Sequence, residues 1–146
     1  MSGAGAFEFV EDVTSDLSFA ARGATLAELF AASAEALLAA TVERPAAVEA
    51  RETRAIALSD ERLDWLLRRF LSELVFLRDA EGLLLRPQRI EVRDGAEPRL
   101  EAELAGEHLD LLRHGAGSDV KAVTAHGLAV ERDDAGGWRA RVTLDV

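Results

Sequence analysis

The stretch DERLDWLLRRFLSELVFLRDAEGLLLRPQRIEVRD, residues 60–94, contains the change of hydrophobic period that determines the fold. Up to Gly82 its apolar residues recur at spacings of three and four, which predicts a helix with a continuous apolar stripe. Ser59 is the expected N-cap of this helix, and Gly82 is the expected residue at its end. Residues 83–94 then have the pattern of a strand, so the chain turns from helix to sheet at Gly82.

The residues before this stretch predict a second helix and more strands. Alternation of apolar and polar residues predicts strands at 6–11, 17–22 and 47–58. A helix is predicted at residues 25–43, where Thr25 and Glu28 have the spacing of a capping box. Pro45 lies just beyond and cannot continue this helix.

The residues after the second helix predict only strands, at 83–94, 99–107, 118–134 and 138–146. Turns are expected at Asp94–Gly95 and Asp134–Gly137, the latter closing a hairpin. The order ββαβα followed by four strands indicates an α+β fold. We expect a single domain over residues 1–146, with a mostly antiparallel sheet or sheets and two α-helices packed on one face.

The charge of the chain limits its partners. Its 27 acidic and 17 basic residues give a net charge of −10, and Lys121 is the only lysine. Proteins that bind nucleic acid directly neutralise its phosphates with clustered Lys and Arg. Because this chain is strongly acidic, direct nucleic-acid binding is not expected. A protein partner or a cation fits this composition better.

The composition also limits the compartment and the chemistry. The chain has no cysteine, which excludes disulfides, thiolate nucleophiles and cysteine zinc sites, and it has no apolar run long enough to cross a membrane. We therefore expect a cytoplasmic protein. The sequence contains none of the motifs GxGxxG, GxxxxGK(S/T), HExxH or GxSxG.

Three short segments carry candidate functional residues. The first is EDVTSDL, residues 11–17, with three carboxylates that include Asp12 and Asp16. The second is SDVKAVTAHGL, residues 118–128, in which polar side chains that include Lys121 and His126 interrupt an apolar strand. The third is the C-terminal LDV, where the Asp145 side chain adjoins the α-carboxylate of Val146.

These carboxylates suit a hard divalent cation such as calcium or magnesium, which prefers clustered oxygen ligands. If the first and last strands are neighbours, Asp16, Asp145 and the C-terminus form a small all-oxygen site. The alternative is that the acids are solvated turn residues, that Lys121 forms a salt bridge and that His126 is a core histidine. His108 and His114 lack a metal-ligand spacing and are expected in a surface loop.

Three parts of the chain resemble the archease family. Residues 119–146, DVKAVTAHGLAVERDDAGGWRARVTLDV, resemble its C-terminal signature, where D/E-V/I-K-A-V/L-T-Y-H leads through a hairpin to a terminal F/L-D-V/I. Residues 7–30 are similar to its opening strand, its E-H-T-A-D box and its first helix start. Residues 72–85, SELVFLRDAEGLLL, resemble its second helix and the Gly-Leu-Leu that follows.

This resemblance implies a function and a site. Archeases are accessory proteins of the RNA-splicing ligase, which joins 3′-phosphate or cyclic-phosphate ends to 5′-hydroxyl ends in tRNA splicing and RNA repair. They promote guanylylation and multiple turnover of the ligase and are not themselves established enzymes. The resemblance implies that Asp16, Asp145 and Val146, the last through its carboxylate, hold a divalent cation such as Ca, Mg or Mn.

The sequence departs from the family pattern at two places. The box carries Asp12 where a histidine is common, and Ala125 replaces a tyrosine. Asp12 keeps an oxygen donor that could support the site. Lys121 is expected to pair with an acidic ligand or to contact a phosphate. His126 is expected to orient a carboxylate or to pack in the core. Two other functions compete with the activator: a small metal-dependent phosphoester hydrolase using Asp16 and Asp145, and a chaperone-like interaction module without a metal.

Overall fold

The computed structural model of the chain describes residues 5–10 and 16–146. Within them, seven strands alternate with two long helices, a one-turn helix and a 3-10 turn at Pro45–Ala47. In chain order the elements are β1 (Ala6–Val10), β2 (Leu17–Gly23), α1 (Leu26–Thr41), β3 (Glu52–Ser59), α2 (Leu63–Glu81), β4 (Leu83–Arg93), β5 (Arg99–His108), α3 (Leu111–His114), β6 (Ala122–Arg132) and β7 (Trp138–Asp145). No helix in the described part of the chain is both long and apolar enough to span a bilayer.

The strands form two antiparallel sheets. One has the order β1-β2-β7-β6 and the other the order β3-β5-β4. Helix α1 contacts β2 in the first sheet and β4 in the second, and α2 contacts β6 and β4 in the same way. The two helices are therefore shared between the sheets, and the predicted α+β class is confirmed.

One cluster of buried apolar side chains joins the helices to both sheets. The rings of Phe30 in α1 and Phe70 in α2 stack with their centroids 6.1 Å apart. Phe19 of β2 and Leu144 of β7 are fully buried in the same cluster. Full burial of such a side chain contributes about 1.5–3 kcal/mol, so this cluster stabilises β2 and β7, the two central strands of their sheet.

Both long helices begin or end where the sequence indicates. The Thr25 hydroxyl accepts a hydrogen bond from the Glu28 N–H at 3.1 Å, and the Glu28 carboxylate accepts one from the Ala24 N–H at 3.2 Å. These two bonds make the predicted capping box. Gly82 ends α2 with φ at 71°, a left-handed conformation that glycine adopts without a steric penalty.

Three predicted boundaries are wrong. Ser59 is not the N-cap of α2, because it is the last residue of β3 and pairs with Arg99; the helix begins after Arg62. Strand β3 begins five residues later than predicted because the 3-10 turn occupies Pro45–Ala47. Strand β6 begins at Ala122, since the Gly117 and Ser118 N–H groups donate to carbonyls at the end of α1 instead of to a strand.

The prediction that His114 lies in a surface loop is also wrong, since its side chain is fully buried in α3. Its Nδ1 accepts a hydrogen bond from the Asp110 N–H at 2.9 Å, so the ring proton is on Nε2, which donates to Glu107 at 3.0 Å. The buried Glu107 carboxylate also accepts from Arg113 at 2.7 Å and from the Glu49 N–H at 2.8 Å. Through this network of hydrogen bonds, residues 109–114 are held against the end of β5.

The same network makes the stability of the fold depend on acid pH. The hydrogen bond from Arg113, helped by that from the Glu49 N–H, lowers the pKa of Glu107 from 4.5 to about 2. The unfolded chain therefore takes up this proton first as the pH falls. The stabilisation from Glu107 is complete above about pH 4.5 and is lost as the pH falls towards 2.

We predict that Glu107→Gln lowers the free energy of unfolding at pH 7 and weakens its dependence on pH between 4.5 and 2. The amide retains the shape of the side chain but cannot carry the charge that Arg113 stabilises. Urea unfolding followed by circular dichroism at several pH values measures both effects. Glu103→Gln, at an exposed position of the same strand, is the matched control. An unchanged acid dependence in Glu107→Gln would contradict the prediction.

Candidate metal site at the end of the β2–β7 pair

The pairing of β2 with β7 brings two candidate ligands to one end of a sheet. The strands are antiparallel, and Leu17 at the start of β2 pairs with Leu144 near the end of β7. Asp16 precedes Leu17 and Asp145 follows Leu144, so one further step of the register places the two acids side by side. The sequence left open whether the first and last strands are neighbours, and in the structure β2 and β7 are.

The alternation of side chains determines which face these acids occupy. Leu17 and Leu144 pack against the main core cluster, so the next side chains along each strand point to the opposite face. On that face the hydroxyls of Ser18 and Thr143 form a buried hydrogen bond at 2.9 Å. This bond fixes the register of the two strands next to the acids. Asp145 lies on the same face as Thr143 and is partly exposed.

The C-terminal end of β7 is held from its other side by β6. Ala122 pairs with Asp145, and the Lys121 N–H donates to the Asp145 carbonyl at 2.7 Å. The Val146 side chain packs against the core cluster. The backbone of Asp145 is therefore held by β6, and Val146 is held through its side chain.

Two of the supporting residues, Lys121 and His126, have exposed side chains. Within residues 5–10 and 16–146 no ion pair shorter than 4.0 Å involves Lys121, whose side chain is exposed. The expectation that His126 packs is wrong, since this side chain is exposed as well. The cause is an irregularity in β6 between Thr124 and Ala129, where Gly127 has φ at 66° and the ladder with β7 is interrupted. Asp12 lies outside the described residues.

The donor chemistry of this end fits a hard divalent cation. Asp16 and Asp145 offer carboxylate oxygens, and both are partly exposed, so an ion can reach them from water. Among the described residues no group of three His, Asp or Glu side chains is placed to hold a metal. The α-carboxylate of Val146, which adjoins Asp145, offers a further oxygen ligand.

The structure also displays an apolar surface that the sequence did not indicate. Leu109, Leu111 and Leu112 are 40%, 63% and 93% exposed, on the turn that the Glu107 network fastens. The Arg44 guanidinium donates to the carbonyls of Leu112 and Arg113, at 3.2 and 2.9 Å, and stiffens this turn further. We call these three leucines the leucine turn. Its signal in the sequence was the run LDLL, residues 109–112, which holds three leucines in four positions.

Comparison with known proteins agrees with this architecture. The model of the Archease protein family (MTH1598/TM1083) matches residues 7–146. A relative named protein archease, from Thermococcus gammatolerans, is 36% identical over 134 residues, which is 91% of this chain and 94% of the relative.

Two solved structures share the fold. The solution structure of protein 1598 from Methanobacterium thermoautotrophicum has a TM-score of 0.81 at 33% identity and covers 96% of this chain and 98% of its own. A crystal structure from Thermotoga maritima, described as an archease and possible chaperone, has a TM-score of 0.61 at 20% identity, covering 94% of this chain and 95% of its own. The family match, the relative and the fold agree, and this chain belongs to the archease family.

Proposed function

We propose that this protein is an accessory activator of the RNA-splicing ligase, and that it promotes guanylylation and multiple turnover of that enzyme. The observation that carries the proposal is the antiparallel pairing of Leu17 with Leu144, since Asp16 and Asp145 are the next residues along each strand at that end of the sheet. We call this end, with the partly exposed Asp16 and Asp145, the acidic tip.

In this proposal Asp16, Asp145 and the Val146 carboxylate hold a divalent cation, which is calcium, magnesium or manganese. When bound, the ion supplies a concentrated positive charge of the kind that nucleotidyl transfer requires. The carboxylates orient the ion towards the ligase, and the buried Ser18–Thr143 hydrogen bond keeps them in register. Lys121, exposed just before β6, lies beside the end of β7, where its N–H donates to the Asp145 carbonyl. In this proposal its side chain contacts a phosphate of the partner's nucleotide.

The charge of the chain supports a protein target. With a net charge of −10 the molecule is repelled by RNA as a whole, so the ligase, not its accessory protein, holds the substrate. No residue of this chain is assigned a catalytic role. The protein acts by completing the environment of the partner's active site and does not turn over a substrate itself.

A first prediction concerns cation affinity. Asp145→Ala removes one of two neighbouring carboxylates and is expected to weaken binding of Mn²⁺ or Ca²⁺ by about tenfold or more, while the fold is retained. Isothermal titration calorimetry measures the affinity, and circular dichroism checks the fold. Asp94→Ala, in the exposed turn between β4 and β5, is the control and should bind as the wild type does.

Extending the chain beyond Val146 tests the third ligand, because it converts the α-carboxylate into an amide. If the ion uses that carboxylate, the extension weakens cation binding as a side-chain substitution does. Equal affinities for Asp145→Ala, Asp94→Ala and the wild type would contradict a cation site at this end of the sheet.

A second prediction concerns the ligase itself. Single-turnover guanylylation by the ligase of the same organism should be accelerated by this protein, and the acceleration should be lost with Asp16→Ala or Asp145→Ala. The same Asp94→Ala control should stimulate fully. Absence of stimulation by the wild-type protein would refute the activator function, whatever the cation affinity proves to be.

The leucine turn favours one alternative, a chaperone-like interaction module. Leu112 is 93% exposed on a turn held by a buried ion network, an arrangement typical of a contact surface. The relative from Thermotoga maritima is itself described as a possible chaperone. In this alternative, Leu112→Ser abolishes function and Asp145→Ala does not, which is the reverse of the result expected for the activator.

A further inference from the structure

Three arginines lie together on the face of the first sheet that points away from the helices. Arg22 of β2 is directly opposite Arg139 of β7, and Arg141 is the next residue of β7 on that face, opposite Ala20. Directly opposed side chains have Cβ atoms about 5 Å apart, and alternate residues of one strand are about 7 Å apart. The three guanidinium groups can therefore converge on one small ligand.

This arrangement is unfavourable for the fold alone, because like charges directly opposite each other in a sheet repel. Within the described residues no ion pair involves Arg22 or Arg141, and Arg139 has only a 3.7 Å contact with Glu131. Both partners of that contact are more than half exposed, so it contributes little. The sheet thus retains three close positive charges without strong compensation, in a chain of net charge −10.

A second pair of directly opposed arginines in this protein has carboxylates as its neighbours in the sheet. Arg93 and Arg99 are opposite each other in β4 and β5, but Glu91 and Glu101 form the next opposed pair on the same face. Each arginine there has a carboxylate as a diagonal neighbour. Between β2 and β7 the corresponding pair is Ala20 opposite Arg141. The nearest carboxylates come from the flanking strands, with Glu8 of β1 diagonal to Arg22 and Glu131 of β6 opposite Arg139.

A cavity of about 380 Å³ lies beside the three arginines. Arg22 and Arg139 form part of its wall, and small side chains, Ala6 and Ala20, leave space between them. A neighbouring cavity of about 390 Å³ shares Arg22. We call the first cavity, with Arg22, Arg139 and Arg141, the arginine cleft.

Two carboxylates line this cavity, and one of them is committed elsewhere. Asp133 accepts hydrogen bonds from the Ala135 and Gly137 N–H groups, at 3.0 and 2.8 Å, and closes the β6–β7 turn. Glu8 is exposed on the edge strand β1, opposite Ala20, and makes no ion pair within the described residues. Within the described residues neither Glu8 nor Asp133 forms an ion pair with Arg22 or Arg139, so both guanidinium groups are accessible to a ligand in the cavity.

We propose that the arginine cleft binds a phosphate group. Guanidinium groups present paired N–H donors whose spacing matches phosphate oxygens, a geometry that lysine lacks. Arg22 and Arg139 line the cavity, and Arg141 is the next residue of β7 on the same face. The phosphate belongs either to a free nucleotide or to a nucleic-acid backbone. Because residues 139, 141, 143 and 145 share one face of β7, the cleft opens on the same side as Asp145, roughly 13–20 Å away.

The inference does not depend on the cation site or on the ligase. The test is titration of the ¹⁵N-labelled protein with pyrophosphate, followed by NMR at the arginine side-chain Nε resonances. We expect saturable shifts at Arg22, Arg139 and Arg141, and a loss of affinity of about tenfold or more in Arg22→Ala. Arg22→Lys keeps the positive charge but lacks the paired N–H donors of a guanidinium, and it should bind pyrophosphate with intermediate affinity.

Arg93→Ala is the matched control, since it removes one arginine of the balanced pair and should leave pyrophosphate binding unchanged. A second titration with a short single-stranded RNA identifies the source of the phosphate: tighter binding of RNA indicates a backbone phosphate, and tighter binding of pyrophosphate a free nucleotide. Cation affinity at Asp145 should be the same in Arg22→Ala and the wild type. Absence of saturable shifts with both probes, or equal losses in Arg22→Ala and Arg93→Ala, would overturn the proposal.

Discussion

The candidate site depends on one long-range contact, the antiparallel pairing of β2 with β7. Phe19 on β2 and Val142 and Leu144 on β7 are fully buried against the helices, and this burial holds two strands from opposite ends of the chain together. A slip of one residue would move the buried side chains of the shifted strand, Phe19 in β2 or Val142 and Leu144 in β7, to the outer face, so the register is strongly specified. Everything on the outer face of these strands, including Asp145 and the arginine cleft, takes its position from that register.

Local sequence patterns predicted the helices and strands but not which of them lie next to one another. The apolar spacing of α2, the capping box of Thr25 and Glu28, and Gly82 as a helix end were all visible in the sequence because each depends on residues a few positions apart. The prediction that Ser59 is the N-cap of α2 failed because its backbone pairs with Arg99 in the sheet. A pairing between residues so far apart in sequence cannot be inferred from local patterns. The prediction for His114 failed because the burial of this ring depends on Glu107, which accepts a hydrogen bond from it within a network of four groups.

The same distinction applies to the functional surfaces. Asp16 and Asp145 were candidates from their residue type, but only the resemblance to a family suggested that the two ends meet. The arginine cleft could not be predicted, because Arg22 and Arg139 become neighbours only through sheet pairing and neither belongs to a motif. Together the acidic tip and the arginine cleft give one face of a strongly acidic protein two separate areas of opposite charge.

The most direct test of this account is an anomalous-scattering measurement on crystals soaked in Mn²⁺. The account predicts an anomalous peak within bonding distance of the Asp16 and Asp145 carboxylates and of the Val146 terminus, and its loss in Asp145→Ala crystals. A peak at another acidic cluster, or none at this end of the sheet at saturating Mn²⁺, would contradict the claim that the β2–β7 pair builds a cation site.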